Sequence, residues 1–236
     1  YISPKENKVF YLGTNDPDVF WKIRRDILSK FKTLPTLGDY LHRDCYEAAK
    51  KYSKDYWDGN RRYGYGGYKY IKGRWKSVAQ KLIKNYNLKS GSKILDVGCG
   101  KGYLIKEMLL IQPKLAVYGI EPSKHAHKFI DTKFKKNVLV QKAESKFPFK
   151  KNFFDLVISL ATLHNLEIFN LVKAVKEIER VGKNKYIMLE SYRNNRELFN
   201  LQCWALTCET FFSKKEWIWF YKNLKYTGDY EFIYFK

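Results

Sequence analysis

Cysteine is scarce in this sequence, and no two cysteines form a C-x-x-C pair. The four present, Cys45, Cys99, Cys203 and Cys208, show neither zinc-ligand spacing nor a disulfide framework. A reducing compartment is the default for such a chain, so the expected location is cytoplasmic. Long apolar runs are also missing. The longest nearly uncharged one, "LVISLATL" (156–163), is far short of the ~20 residues a spanning helix needs, so no membrane span is expected. No basic-then-apolar signal peptide opens the chain. No cluster of Asp, Asn and Glu suggests a metal, and none is expected. Arginine is scarce as well: 9 residues against 36 lysines, so the formal charge of +21 rests on lysine. Phosphate and base readers lean on arginine forks. A solvated lysine surface is therefore the favoured reading, and nucleic acid is a less favoured partner. Nothing in the sequence marks an oligomeric state.

What is present is a repeating pattern. Strand-like "SKILDV" (92–97) is followed by "GYLIKEMLLIQ" (102–112) with helical spacing. "AVYGIE" (116–121) reads as a strand, "SKHAHKFIDTKF" (123–134) as a helix and "NVLVQ" (137–141) as a strand. "FFDLVISLA" (153–161), "LEIFNLVKAVKEIERV" (166–181) and "KYIMLES" (185–191) continue the alternation. Repeated βα units predict an α/β fold with a doubly wound, mostly parallel sheet. Further on, helices are expected over 196–206 and 213–224, the latter with Ser213 and Glu216 in a capping-box pattern, and a closing strand over 229–235. Before the repeats lie a helical pattern at 16–31, an aromatic and Gly-rich stretch at 55–75, and a helix at 76–88. The expected organisation is an N-terminal extension and lid over 1–75, partly helical and partly irregular, followed by a Rossmann-like domain over 76–236.

"ILDVGCGKGYL" (94–104) carries the chemistry. A Gly-rich turn at the end of a first strand lets a ligand touch the backbone and the N–H groups of the next helix. Glu121 ends the second strand some 20 residues later, where an acid holds ribose hydroxyls. The spacing here is G-x-G-x-G, not the G-x-G-x-x-G of dinucleotide sites. Asp96, just before the turn, would sit badly against a pyrophosphate. It suits a cofactor with an ammonium and a sulfonium, and S-adenosylmethionine has both.

These residues resemble the Rossmann-fold (class I) S-adenosylmethionine-dependent methyltransferases, over roughly 76–191. "ILDVGCGKGYL" resembles the family's motif I, "VYGIEPS" (117–123) its motif II, and "KAESKFPFKKNFFDLVIS" (142–159) its block around the fourth strand. "LATLHNL" (160–166) resembles the stretch beneath the methyl group in the small-molecule branch, and 55–75 resembles an uncharacterised bacterial subgroup. The resemblance implies a cofactor site of Asp96, Gly98, Cys99, Gly100, Gly102, Glu121, Pro122 and Leu160, with Ala143 or Glu144 at the adenine.

The chemistry to expect is methyl transfer to O or N of a small molecule, with an acidic or sugar-type acceptor suiting the charge. His164, after the fourth strand, is the candidate base, and Glu190, at the end of the fifth, is a second catalytic candidate or an ion-pair partner of Arg193 or Arg196. Tyr68, Tyr70, Arg74 and Trp75 are candidates for the lid and the substrate contact. Asp155 reads as structural, and Cys99 as a small tolerated side chain. The alternatives are an RNA methyltransferase and a non-catalytic cofactor-binding module. "SLAT" (159–162) lacks the Asn/Asp-Pro-Pro-aromatic tetrad common in base-modifying enzymes, which speaks against the first.

Overall fold

The structure is a computed structural model that describes residues 43–236. The helix expected over 16–31 lies outside the described residues. Within them the chain runs α1 (Arg43–Lys50), α2 (Lys54–Asp58), α3 (Lys76–Asn85), β1 (Lys93–Val97), α4 (Tyr103–Ile111), β2 (Ala116–Ile120), α5 (Lys124–Lys128) and β3 (Val138–Leu139). It continues with β4 (Phe154–Leu160), α6 (Ile168–Val181), β5 (Gly182–Ser191), α7 (Asn195–Trp204), α8 (Lys214–Asn223) and β6 (Asp229–Tyr234). The strands form one sheet in the order β3-β2-β1-β4-β5-β6. Every described pairing is parallel, so the sheet is more uniform than the mostly parallel one expected.

The strands are apolar almost throughout because helices cover both sheet faces. Successive side chains point to opposite faces. Ile94, Leu156 and Ile158 pack with Ala79 and Leu82 of α3 and Leu104, Ile105 and Met108 of α4. Leu95, Val157 and Ile187 pack on the other side with α6 and with Trp217 and Phe220 of α8. Helix α6 buries Leu171, Ala174, Val175, Ile178 and Val181 as a single stripe, the spacing of a helix with one apolar face. The capping box at Ser213 and Glu216 is formed.

Two elements are shorter than their sequence patterns. The helix expected over 123–134 ends at Lys128. Asp131 Oδ1 accepts the Lys133 N–H at 3.1 Å, a local bond that competes with helical pairing. Ile130 and Phe134 stay buried, so their apolar spacing reflects packing. The strand expected over 137–141 pairs only at Val138 and Leu139, at the sheet's edge. Asp155 is structural as expected: it accepts the Lys93 N–H at 2.8 Å and pairs with Lys183 at 2.8 Å, far from the ligand edge.

The strand order sets the site. β2 and β3 lie to one side of β1, and β4 to β6 to the other. A crevice opens over the carboxyl ends of β1 and β4, where parallel α/β sheets take ligands. The loops leaving those two strands touch. Gly98 has φ +81°, and a Cβ there would lie 2.3 Å from Thr162 Oγ1 and Cγ2. Gly91 has nearly the same φ, +83°, with open space around it. Gly91→Ala should therefore cost about 1–2 kcal/mol of backbone strain alone. Gly98→Ala should cost about 2–5 kcal/mol, since overpacking adds to the strain. Urea unfolding of both variants checks this. Equal costs would mean that the two loops do not meet at Gly98.

Candidate functional site

A cavity of about 550 Å³ fills the crevice. Its wall includes Asp96, Gly98, Cys99 and Gly100 from the β1 turn, Glu121 and Pro122 from the end of β2, Ala143 and Glu144, and Leu160 from β4. These are the cofactor residues expected from the sequence, apart from Gly102. Gly102 begins α4 with φ +72° and lies against Phe134, where a Cβ would come within 2.9 Å of the ring. It packs against the loop that follows α5, and it does not line the cavity.

Glu121 is held at both oxygens. Gly100 N–H donates to Oε2 at 2.8 Å, and Ser123 N–H donates to Oε1 at 2.8 Å. Asp96 and Glu121 are each 4% exposed. Burial pushes both carboxyl groups up to about 7, and for Asp96 the nearby Glu121 charge adds to the effect. Two buried acids at one wall fit a ligand that brings a cation and hydroxyl donors, not one that brings phosphates. Burial also pushes the Cys99 thiol well above its ordinary range, so Cys99 presents a small neutral side chain. Among the described residues no group of three or more His, Cys, Asp or Glu could hold a metal.

The aromatic stretch covers this cavity and is firmly tied down. Trp57 Nε1 donates to Ser123 Oγ at 2.9 Å. Lys101 Nζ reaches both Asp58 oxygens at 2.6 and 2.8 Å and the Tyr68 carbonyl at 2.8 Å. His125 meets Asp58 at 2.7 Å. The Trp57 indole lies over Gly100, where a Cβ would come within 2.9 Å of it. Tyr68 and Trp75 line the cavity as expected. Tyr70 and Arg74 do not. Tyr70 OH donates to Glu107 Oε1 at 2.6 Å, which fastens the cover to α4, and Arg74 is exposed. An irregular segment has no period to tell which side chains turn inward, so the sequence could not separate Tyr68 from Tyr70.

A second cavity, of about 510 Å³, adjoins the first. The two share Tyr56, Tyr65, Ala161 and Asn165. Ala161 has φ +49°, a left-handed conformation that is costly for a residue with a Cβ. Such strain gathers at functional sites. His164 lines the second cavity, in the short turn after β4. Its Nδ1 lies 2.6 Å from Glu190 Oε2, off the axis of a straight hydrogen bond. Both residues are almost fully buried, 3% and 2% exposed. Glu190 lines neither cavity and reaches the second only as far as His164. Its expected alternative partner Arg193 is paired with Glu197 instead. Sequence reasoning missed Tyr56, Trp57, Thr162 and Asn165. The only signal for the first two was their place at the head of the aromatic stretch.

Residues 95–188 match the family model described as "Methyltransferase domain". Residues 9–65 match the one described as "D-lactate dehydrogenase, membrane binding". The chain is 55% identical over 55 residues to the quinone-dependent D-lactate dehydrogenase of Escherichia coli (strain K12), covering 23% of this chain and 10% of that protein. It is 37% identical over 111 residues to the tRNA (carboxymethyluridine(34)-5-O)-methyltransferase of Arabidopsis thaliana, covering 47% of this chain and 25% of that one. The chain thus spans only a tenth and a quarter of these relatives. Among solved structures, the YcgJ protein from Bacillus subtilis aligns with a TM-score of 0.51 at 20% identity, over 63% of this chain and 67% of that one. That likeness concerns the fold. Residues 95–188 thus form a Rossmann-like domain of the S-adenosylmethionine-dependent methyltransferase kind, and S-adenosylmethionine is the cofactor of that domain. Among the described residues no helix is long and apolar enough to cross a membrane.

Two measurements follow from the paired acids. Glu121→Ala should weaken S-adenosylmethionine binding by roughly 1.5–3 kcal/mol, the scale of hydrogen bonds to a charged group. The pH dependence has a definite sign. Without ligand, Asp96 and Glu121 hold their protons up to about pH 7. Asp96 must ionise to pair with a cation, and an ionised Glu121 accepts ribose hydroxyls best, so binding lowers both pKa values and releases protons. Affinity should rise with pH up to about 7 and level off above it. Calorimetry in buffers of different ionisation enthalpy reads the proton release. Affinity that falls over that range would show that the acids do not face the cation.

Proposed function

We propose that this chain transfers the methyl group of S-adenosylmethionine to O or N of a small molecule held in the second cavity. The observation that carries this reading is the shared wall. Tyr56, Tyr65, Ala161 and Asn165 border both cavities, so a ligand in one can meet a ligand in the other. When bound, S-adenosylmethionine supplies an electrophilic methyl group on a sulfonium. The protein's part is then alignment and exclusion of water, which lowers the entropic share of the barrier. Asp96 pairs with the cationic end, and Glu121, fixed by two backbone N–H groups, takes the ribose hydroxyls. Trp57, Tyr65 and Tyr68 close the cavity from above. Tyr65 and Tyr68 lie 4.6 Å apart and Tyr68 and Tyr103 5.1 Å apart, centroid to centroid, so the aromatic wall is continuous.

His164 takes the acceptor's proton. Its Nε2 has no hydrogen-bonding partner among the described residues, and Glu190 on Nδ1 orients the ring and stabilises the imidazolium as it forms. An acidic acceptor would meet Lys50 and Lys51 at the rim of the first cavity and Arg61 in the second. The described part of the N-terminal extension, 43–75, acts as cover to a catalytic domain over 76–236. The scarcity of cysteine and the lack of a C-x-x-C pair suit a reducing compartment and support a cytoplasmic place of action. The dehydrogenase match at 9–65 makes a membrane surface the competing outcome of a fractionation experiment.

A second reading, methylation of RNA, is favoured by the +21 charge and by the printed activity of the Arabidopsis relative. Methyl-labelled S-adenosylmethionine incubated with the chain and either a metabolite extract or a cellular RNA fraction separates the two. Label should appear in metabolites, and RNA binding should be weak and lost steeply with salt. Label in RNA alone would reverse the order of the readings, and cofactor binding with no turnover would leave a binding module. His164→Ala should lower the chemical step about 10²–10⁴-fold, the usual worth of a general base, with cofactor affinity unchanged. Normal turnover in that variant would remove His164 from the mechanism.

A further inference from the structure

The second cavity has a definite chemical character. Tyr56, Tyr65, Phe199 and Trp204 supply aromatic surface, with Ala205 and Leu206 beside them. Phe199 and Trp204 are each 51% exposed. Large aromatic rings left half in water at the mouth of a cavity commonly mark a binding surface. Trp204 is also held in place, with its ring 4.6 Å from that of Phe235. Ligand pockets of this kind use apolar walls for affinity and a few placed polar groups for orientation.

The polar groups of the wall are mostly occupied by the protein. Thr207 Oγ1 donates to Asn165 Oδ1 at 2.7 Å. Asn200 Nδ2 donates to the Phe235 carbonyl at 3.2 Å. Arg61 donates to the Gly64 carbonyl. Two groups stay open at the inner end, where the cavities meet. One is His164 Nε2. The other is the Asn165 amide nitrogen, because the bond from Thr207 fixes the oxygen of that side chain and leaves the N–H groups without a partner among the described residues. Among the described residues no carboxylate lines this cavity. Glu190 lies behind His164 and lines neither cavity, so none of the described carboxylates reaches in to neutralise an ammonium.

We infer that the second cavity accepts a hydroxyl carried on a ring with a flat apolar face, and that Phe199 and Trp204 hold that ring. This rests on the methyl-transfer reading and narrows it from O or N to O. The hydroxyl donates to His164 Nε2 and accepts from the Asn165 amide. An oxygen lone pair forms the new bond to the methyl carbon. The carbon–sulfur bond breaks with its electrons staying on sulfur, and the hydroxyl proton passes to His164 and then to water. An aliphatic amine, protonated at neutral pH, has no lone pair to offer, and no carboxylate among the described residues lines the cavity to neutralise it.

Two sources share this chemistry, a phenolic ring and the apolar face of a sugar ring. The test uses the full chain with methyl-labelled S-adenosylmethionine and three panels: phenols, hexosides, and the matching arylalkyl amines and amino sugars. Label should enter one hydroxyl panel, and which one identifies the source. Phe199→Ala and Trp204→Ala should each raise the acceptor KM roughly three- to tenfold, the worth of one ring contact, with kcat and cofactor affinity little changed. Phe199 is half-exposed, so its variant serves even if that of Trp204 folds poorly. Label in amines over hydroxyls overturns the inference. So does an unchanged KM in both variants, or no label in any panel while the cofactor binds. Failure of cofactor binding itself would instead overturn the methyl-transfer reading.

Discussion

The site hangs on the Glu121 carboxylate. One oxygen takes the Gly100 N–H and the other takes the Ser123 N–H. The first bond ties the β1 turn to the end of β2, and the second begins α5. Ser123 Oγ then takes the Trp57 indole, which brings the cover down over the same turn. Three segments far apart in the chain converge on one buried acid. The burial that makes these bonds strong also raises the acid's pKa to about 7, because a low dielectric penalises its charge. The residue that organises the turn is therefore tuned to respond to what binds there.

A second buried pair organises the acceptor side. His164 and Glu190 come from the ends of adjacent strands, β4 and β5, which pair in register up to Leu160 and Met188. Register decides that the two side chains meet. A carboxylate left alone at that depth would carry a large desolvation cost, and the histidine gives it a partner. The arrangement leaves one face of the imidazole for the second cavity. The two cavities then meet across Tyr56, Tyr65, Ala161 and Asn165, and Ala161 holds its strained backbone at that junction. The cover thus has two functions, since Tyr56 and Tyr65 close the first cavity and wall the second.

The segment matched by the dehydrogenase model and the one matched by the methyltransferase model meet at this junction. Tyr56, Trp57 and Tyr65 fall within 9–65, while Ala161 and His164 fall within 95–188. The aromatic residues make contacts that fit the cavity closely: Trp57 and Tyr65 stack at 5.4 Å, and Tyr56 and Tyr65 meet edge-on at 5.3 Å. Rings of this kind gain from such geometry beyond their buried area. Whatever the wider chain does, its described part uses both segments to build one pair of cavities.

The sequence by itself determined the strand and helix alternation, the Gly-rich turn, and the acids that flank it. These are local: an apolar run ending in Asp96, a turn of glycines, and Glu121 at the end of the next strand are each readable within a few residues. Helix lengths were less so: α5 ends at Lys128, while the apolar spacing runs on through Ile130 and Phe134, which are buried without being helical. Gly102 was expected at the ligand, and its place against Phe134, away from the cavity wall, was not legible because it needs the helix and the loop together. Only the tertiary structure decided which face of the cover turns inward, sending Tyr68 to the cavity and Tyr70 to Glu107. Only it joined His164 to Glu190 and opened a second cavity between α7 and the turn after β4. Those outcomes depend on strand register and on side chains brought together from distant parts of the chain, as Tyr56 and Phe199 are at the second cavity. Local composition carries no record of such pairings, because each partner alone looks like an ordinary surface or core residue.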